Sequence, residues 1–229
     1  MNKSTRCPPE WQPKVLLKVL RGSKAYGLEL DASDTDTSAV YIQPTRSLLS
    51  LRNPNEPTKD STEDSMGWEL GHFLQLASNC NPSVLEVFLA PVLEGSEEAE
   101  ALRNLFPHVL RKSRVYTLSL GLTNQNRKKA LEEKLEYKRR KAGANMLRLL
   151  YNGIELLREG IFTVRIADTA FGSTVMAAKV GDLSQAEVFQ LVVELEYELS
   201  LAYSNSKLQE DCNYAALDNF LLELRRKYW

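Results

Sequence analysis

The sequence is short of the residues that staple a chain or anchor it in a bilayer. Three cysteines, Cys7, Cys80 and Cys212, stand far apart in 229 residues and form no CxxC pair. That excludes a zinc framework or a disulfide scaffold, and reduced thiols fit a cytoplasmic protein. The two histidines, His72 and His108, are isolated and read as surface or satisfied core residues. No apolar run approaches the ~20 residues a membrane helix needs, so no membrane partner is expected. The opening MNKSTRCPPEWQPK is charged with no apolar stretch behind it, and no secretory signal is expected there. Neither sign of charge prevails: 29 basic and 30 acidic residues leave a net charge of −1. A globally basic nucleic-acid coat is excluded, but a local basic face is not. The phosphate-binding pattern GxxxxGK[ST] and the hydrolase pattern GxSxG are also absent.

What is present is an ordinary globular composition, 43% hydrophobic and 26% charged, long enough to bury a real core. Val15–Leu20 is apolar and β-branched and reads as a buried strand. Gly22, Gly27 and the polar DASDTDTS mark turns, and Thr37–Gln43 reads as a second strand. Asn53–Asp64 holds two prolines and many polar residues and predicts a surface loop. Trp68–Ala77 has helical spacing, Pro82 stops it, and the apolar Ser83–Leu89 reads as a strand. From about Glu94 onward, apolar residues recur at three- and four-residue spacing near 95–113, 115–158, 184–204 and 214–228. The expected fold is α+β: an α/β core over 1–92, a break near Pro91–Gly95, and a helical half over 93–229.

The most informative stretch is RGSKAYGLELDASDTDTSAV, residues 21–40. Gly22-Ser23 ends one strand and, ten residues later, Asp34-Thr35-Asp36 leads into another. Positions two apart in a strand share a face, so both carboxylates would point the same way. Adjacent carboxylates repel unless a cation or proton intervenes, and a hard ion such as Mg²⁺ (or Mn²⁺) meets that need. Gly22 lets backbone approach a ligand, and the Ser23 hydroxyl with neighbouring N–H groups can hold phosphate oxygens. The competing reading is turn chemistry, because Asp and Ser stabilise turns through their own side chains. A two-metal site calls for a third carboxylate. Glu86, inside SVLEVFLAP, is the candidate, since a buried charge there needs a partner. Otherwise it faces water or pairs with a lysine. Glu63 and Asp64 compete with it. Tyr26 either stacks on a base or is buried.

Residues 127–148 hold nine Lys and Arg against three Glu. Lys134, Lys138, Lys141, Asn145 and Arg148 are spaced to share one helix face, beside an apolar face of Leu135, Ala142, Met146 and Leu149. Such a face suits a triphosphate or a nucleic-acid backbone, or is simply solvated with its glutamates pairing locally.

The order of these blocks resembles the DNA polymerase beta superfamily of nucleotidyltransferases. Gly22-Ser23, Tyr26-Gly27 and Ser33-Asp34-Thr35-Asp36 are similar to the GS…YG…SDxD pattern of its YcgL-like group, which includes RNA-repair-associated and phage-borne members. Gly67-Trp68-Glu69-Leu70 and Asn81-Pro82-Ser83-Val84-Leu85-Glu86 resemble its GW-[DE]-L and NPxxLE segments. Lys141 and Arg148 resemble its KxxxHxxRL helix, with Asn145 in place of His. Ser206-Lys207-Leu208 resembles SxLP, with Gln209 in place of Pro. The resemblance implies a polymerase-beta-like core and an NTP substrate. It also implies transfer of a nucleoside monophosphate to an acceptor such as an RNA or tRNA end. Asp34, Asp36 and Glu86 would be catalytic metal ligands, and Gly22, Ser23, Lys24, Tyr26, Lys141 and Arg148 nucleotide contacts.

Overall fold

A computed structural model describes residues 12–31, 33–51 and 65–229 of the chain. The α+β class holds: a small four-stranded mixed sheet with helices, then a helical C-terminal half. Strand β1 (Lys14–Arg21) runs into a one-turn helix α1 (Gly22–Tyr26), and β2 (Asp36–Ile42) returns beside it. After α2 (Thr45–Leu48) come β3 (Ser65–Glu69), α3 (Leu70–Ser78), α4 (Pro82–Leu89) and β4 (Val92–Gly95). The sheet order is β3-β2-β1-β4. β1 is antiparallel to both neighbours, and β3 is parallel to β2. Central β1 therefore buries Leu16 and Leu17 completely. The expected loop over Asn53–Asp64, with Glu63 and Asp64, lies outside the described residues.

Two expectations are corrected here. Trp68–Ala77 is not one helix: Trp68 lies on β3, paired with Val40, and the helix begins at Leu70. Ser83–Leu89 is helix α4, not a strand. Its start is set by Asn81, whose side chain accepts from the Ser83 N–H, and by Pro82 in the first turn, where its missing N–H is harmless. The apolar face of α4 meets α3 through a tilted aromatic series. Phe73 lies 5.0 Å from Phe88, which lies 6.0 Å from Phe106. Each such fully buried ring contributes roughly 1.5–3 kcal/mol.

The helical half comprises α5 (Ala99–Arg103), α6 (Phe106–Val109), α7 (Lys112–Glu132), α8 (Glu136–Glu159), α9 (Gly172–Val180), α10 (Gln185–Asn205) and α11 (Tyr214–Lys227). The expected continuous helix over 115–158 is broken at residues 133–135. α9 was not anticipated. α7, α8 and α10 pack closely: a Cβ at Gly153 of α8 would lie 2.4 Å from Ser119 Oγ. Ser184 and Glu187 cap α10 reciprocally.

β4 and α11 both tie the helical half to the sheet. β4 pairs with β1 across the expected break, with Leu17 opposite Gly95. α11 returns to the sheet, where Arg225 lies 2.7 Å from Glu69 and Thr45 N–H donates to the Tyr228 carbonyl at 2.7 Å. Beside them, Glu98 accepts from Tyr228 at 2.5 Å and lies 2.8 Å from Lys227. Burial alone would raise the Glu98 carboxyl, but bonds from Lys227, Ser96 and Tyr228 more than offset it and hold it at about 2. Cys80, just past α3, has a left-handed φ of 55°. Its thiol donates to the Val109 carbonyl at 3.3 Å, and burial pushes its pKa up to about 11.

Candidate active site

The register of β1 and β2 builds the site. Arg21 pairs with Asp36, so the next residue, Gly22, turns against the Asp36 carboxylate. Gly22 has φ +71°, and a Cβ there would lie 2.2 Å from Asp36 Oδ2. No L side chain fits this approach, which combines left-handed backbone with direct contact. Asp34 lies exposed on the extended segment leading into β2. Ser33 closes a turn with Leu30, its hydroxyl accepting from the Leu30 N–H at 2.8 Å, so part of DASDTD is indeed turn chemistry. Lys24 donates to the Thr35 hydroxyl and ties α1 to the same loop.

Glu86 enters from α4 and is buried, 4% exposed. Arg148 of α8 donates to its Oε1 at 2.6 Å, and the Tyr26 hydroxyl lies 3.0 and 2.8 Å from its two oxygens. The Arg148 guanidinium sits 3.9 Å over the Tyr26 ring. Burial, aided by the Glu86 charge and opposed by Arg148, pushes the Tyr26 phenol up. Burial works against the Arg148 charge, but Tyr26 and Glu86 outweigh it and raise its pKa. Tyr26 is half-buried: Arg148 covers one face of its ring, and the residue also lines the adjoining cavity.

A cavity of about 490 Å³ opens between these groups and the helices. Gly22, Ser23, Tyr26, Asp36, Glu86, Lys141, Asn145 and Arg148 all line it. The sequence-predicted set thus converges, except for Asp34 and Lys24, which lie outside the lining. Sequence reasoning missed Arg21, Lys129 and Lys179, which also line the cavity. Arg21 adjoins Gly22-Ser23, a usable signal. Lys179 arrives on α9 and carried none. The proposed face 134-138-141-145-148 is corrected in part. Lys134 lies in the break before α8, and Leu135, expected to dock on the core, is 47% exposed.

Asp34, exposed before β2, and Asp36, against Gly22, offer carboxylate oxygens only, the donor type a hard cation takes. Among the described residues no ion pair neutralises either. Glu86 is different: Arg148 balances its charge, and Tyr26 contacts both oxygens. Among the described residues, no group of three His, Cys, Asp or Glu side chains is placed to hold a metal ion. No helix among them is long and apolar enough to cross a membrane.

No solved structure matches the chain. The uncharacterized protein YcgL of Bacillus subtilis (strain 168) is 29% identical over 97 residues, 40% of this chain and 37% of that protein. The chain therefore matches little more than a third of that relative's length. The family described as RlaP, the RNA repair pathway DNA polymerase beta family, matches residues 3–222. With nearly its whole length covered, and with Gly22 pressed on Asp36 beside a lysine-lined cavity, the chain belongs to the RNA repair pathway DNA polymerase beta family.

Proposed function

We propose that the chain moves a nucleoside monophosphate from an NTP to an acceptor hydroxyl at an RNA end, tRNA included, releasing pyrophosphate. The observation that carries this reading is the Asp36 carboxylate, held against Gly22 at the cavity edge and, among the described residues, without a cation partner. Asp34 and Asp36 would hold the metal. Bound there, Mg²⁺ or Mn²⁺ would polarise the α-phosphate and lower the pKa of the acceptor hydroxyl. Gly22 and Ser23 admit the phosphates closely because position 22 has no side chain. Lys141 neutralises charge that develops on the transferring group. Glu86 acts as a positioning residue, fixing Arg148 and Tyr26 as one wall. The acceptor O–P bond forms as the bond to the β-phosphate oxygen breaks. Pyrophosphate leaves with the electron pair, and the hydroxyl proton passes to a carboxylate of the corner.

A second reading, nucleotidylation of a protein or small molecule, draws on the basic run. Most of its cations are paired with carboxylates, which leaves little for a nucleic-acid backbone. The test offers each α-labelled NTP with Mg²⁺ or Mn²⁺, with and without RNA bearing a free 3′-hydroxyl. Label on RNA with the wild type, and none with Asp34→Ala/Asp36→Ala, is expected. Metal-dependent NTP binding without transfer to RNA would favour the second reading. Absence of NTP binding would return the fold to a non-catalytic role.

A further inference from the structure

Nine cations stand in 127–148. Arg127 pairs with Glu196 at 2.7 Å, Lys128 with Glu132 at 4.0 Å, Lys138 with Glu133 at 4.0 Å, and Arg148 with Glu86 at 2.6 Å. Arg140 pairs with Glu136, and Arg139 donates to the Glu133 and Lys134 carbonyls at 3.0 and 3.1 Å. Among the described residues, Lys129, Lys134 and Lys141 have no carboxylate partner. Lys134 is exposed in the break between helices. The other two line the same cavity, Lys129 from α7 and Lys141 from α8. Lys179 joins them from α9, its ammonium donating to the Leu28 carbonyl. Burial, then the nearby Lys141 charge, pushes the Lys179 pKa down. Gathering like charges in a partly dry wall disfavours the charged forms unless an anion joins them.

We propose that Lys129, Lys141 and Lys179 form one anion seat on the helical wall of the cavity, and that its ligand is the polyphosphate chain of a nucleotide. The choice of ligand rests on reading the cavity as a nucleotidyltransferase site. Three helices bring their lysines to one enclosure of about 490 Å³, the scale of a small-molecule site. A nucleic-acid backbone would instead follow a row of uncommitted cations, and outside the cavity that row is largely paired with carboxylates. Arg148 is not part of the seat, because Glu86 already balances it.

The test is calorimetric titration of the full chain with inorganic tripolyphosphate in EDTA. Saturable binding is expected. Lys129→Gln and Lys179→Gln should each weaken it about tenfold, as loss of a charge-assisted bond does. Lys128→Gln, whose cation is paired outside the cavity, should bind as wild type does. Lys179→Gln also releases the Leu28 carbonyl, so the Lys129 variant keeps the test sound if Lys179→Gln fails to fold. No wild-type binding, or full binding by folded Lys129→Gln, would overturn the seat. So would lysine-dependent binding of a single-stranded RNA oligonucleotide with tripolyphosphate binding unaffected. The Asp34→Ala/Asp36→Ala protein should still bind tripolyphosphate. Lysine-dependent binding in a protein that never transfers label would sink the transferase reading and leave the seat standing.

Discussion

Glu98 and Asp36 lie at the two ends of β1. At one end Glu98 accepts from Tyr228, lies 2.8 Å from Lys227 and 3.8 Å from Lys14, and is buried. At the other, Asp36 faces the backbone of Gly22, half exposed and without a cation partner among the described residues. An acid that the protein neutralises itself holds the fold together. On the proposed function, an acid left unbalanced beside an open cavity is kept for charge arriving from outside. Glu86 belongs with Glu98 on this criterion, although it lines the same cavity as Asp36.

Asp36→Ala should separate the two kinds most sharply. Label transfer should fall by more than about 100-fold, while thermal stability holds or rises because no protein partner is orphaned. Wild-type-like turnover in that folded variant would remove the contrast. Glu86→Ala should do the reverse to stability, lowering it by about 3–5 kcal/mol, since Arg148 is left buried and uncompensated. Urea denaturation reads this, and a Glu86→Gln/Arg148→Met pair should recover part of the loss. Gly22→Ala should cost about 1–3 kcal/mol through left-handed strain and reduce transfer on the order of 10- to 100-fold by displacing the Asp36 carboxylate. The smallest effect concerns pH. The folded Glu98 carboxyl lies at about 2 against an ordinary 4.5, so its contribution is complete above 4.5 and is lost as pH falls toward 2. Melting curves across that window should show the loss, and Glu98→Gln should lack it.

β1 and β2 were legible because their apolar residues are bounded by glycine and aspartate turns, and the approach of Gly22 to Asp36 follows from their register. SVLEVFL was misread because seven apolar-rich residues suit a buried strand or a short helix equally. The deciding signal was Asn81-Pro82, a helix start just before the run. β3 was hidden by Gly67 and by a Trp68 whose neighbours continue at helical spacing. The basic run was half legible. Spacing placed Lys141, Asn145 and Arg148 on one side of α8, but not the break that removes Lys134, nor the partners that occupy Arg148. Lys179 was beyond local reading altogether, since its place in the cavity depends on how α9 packs against α8.

The left-handed turn at Cys80 has a kinetic consequence. Its thiol is buried, with a pKa of about 11, and it bridges the end of α3 to the chain at Val109 and Arg111. In the closed molecule it reacts slowly with alkylating reagents, because both thiolate and access are scarce. Its alkylation rate therefore acts as a clock for the moments when that junction opens. Timed with and without nucleotide, the clock would report whether occupying the cavity stiffens the junction at the end of α3.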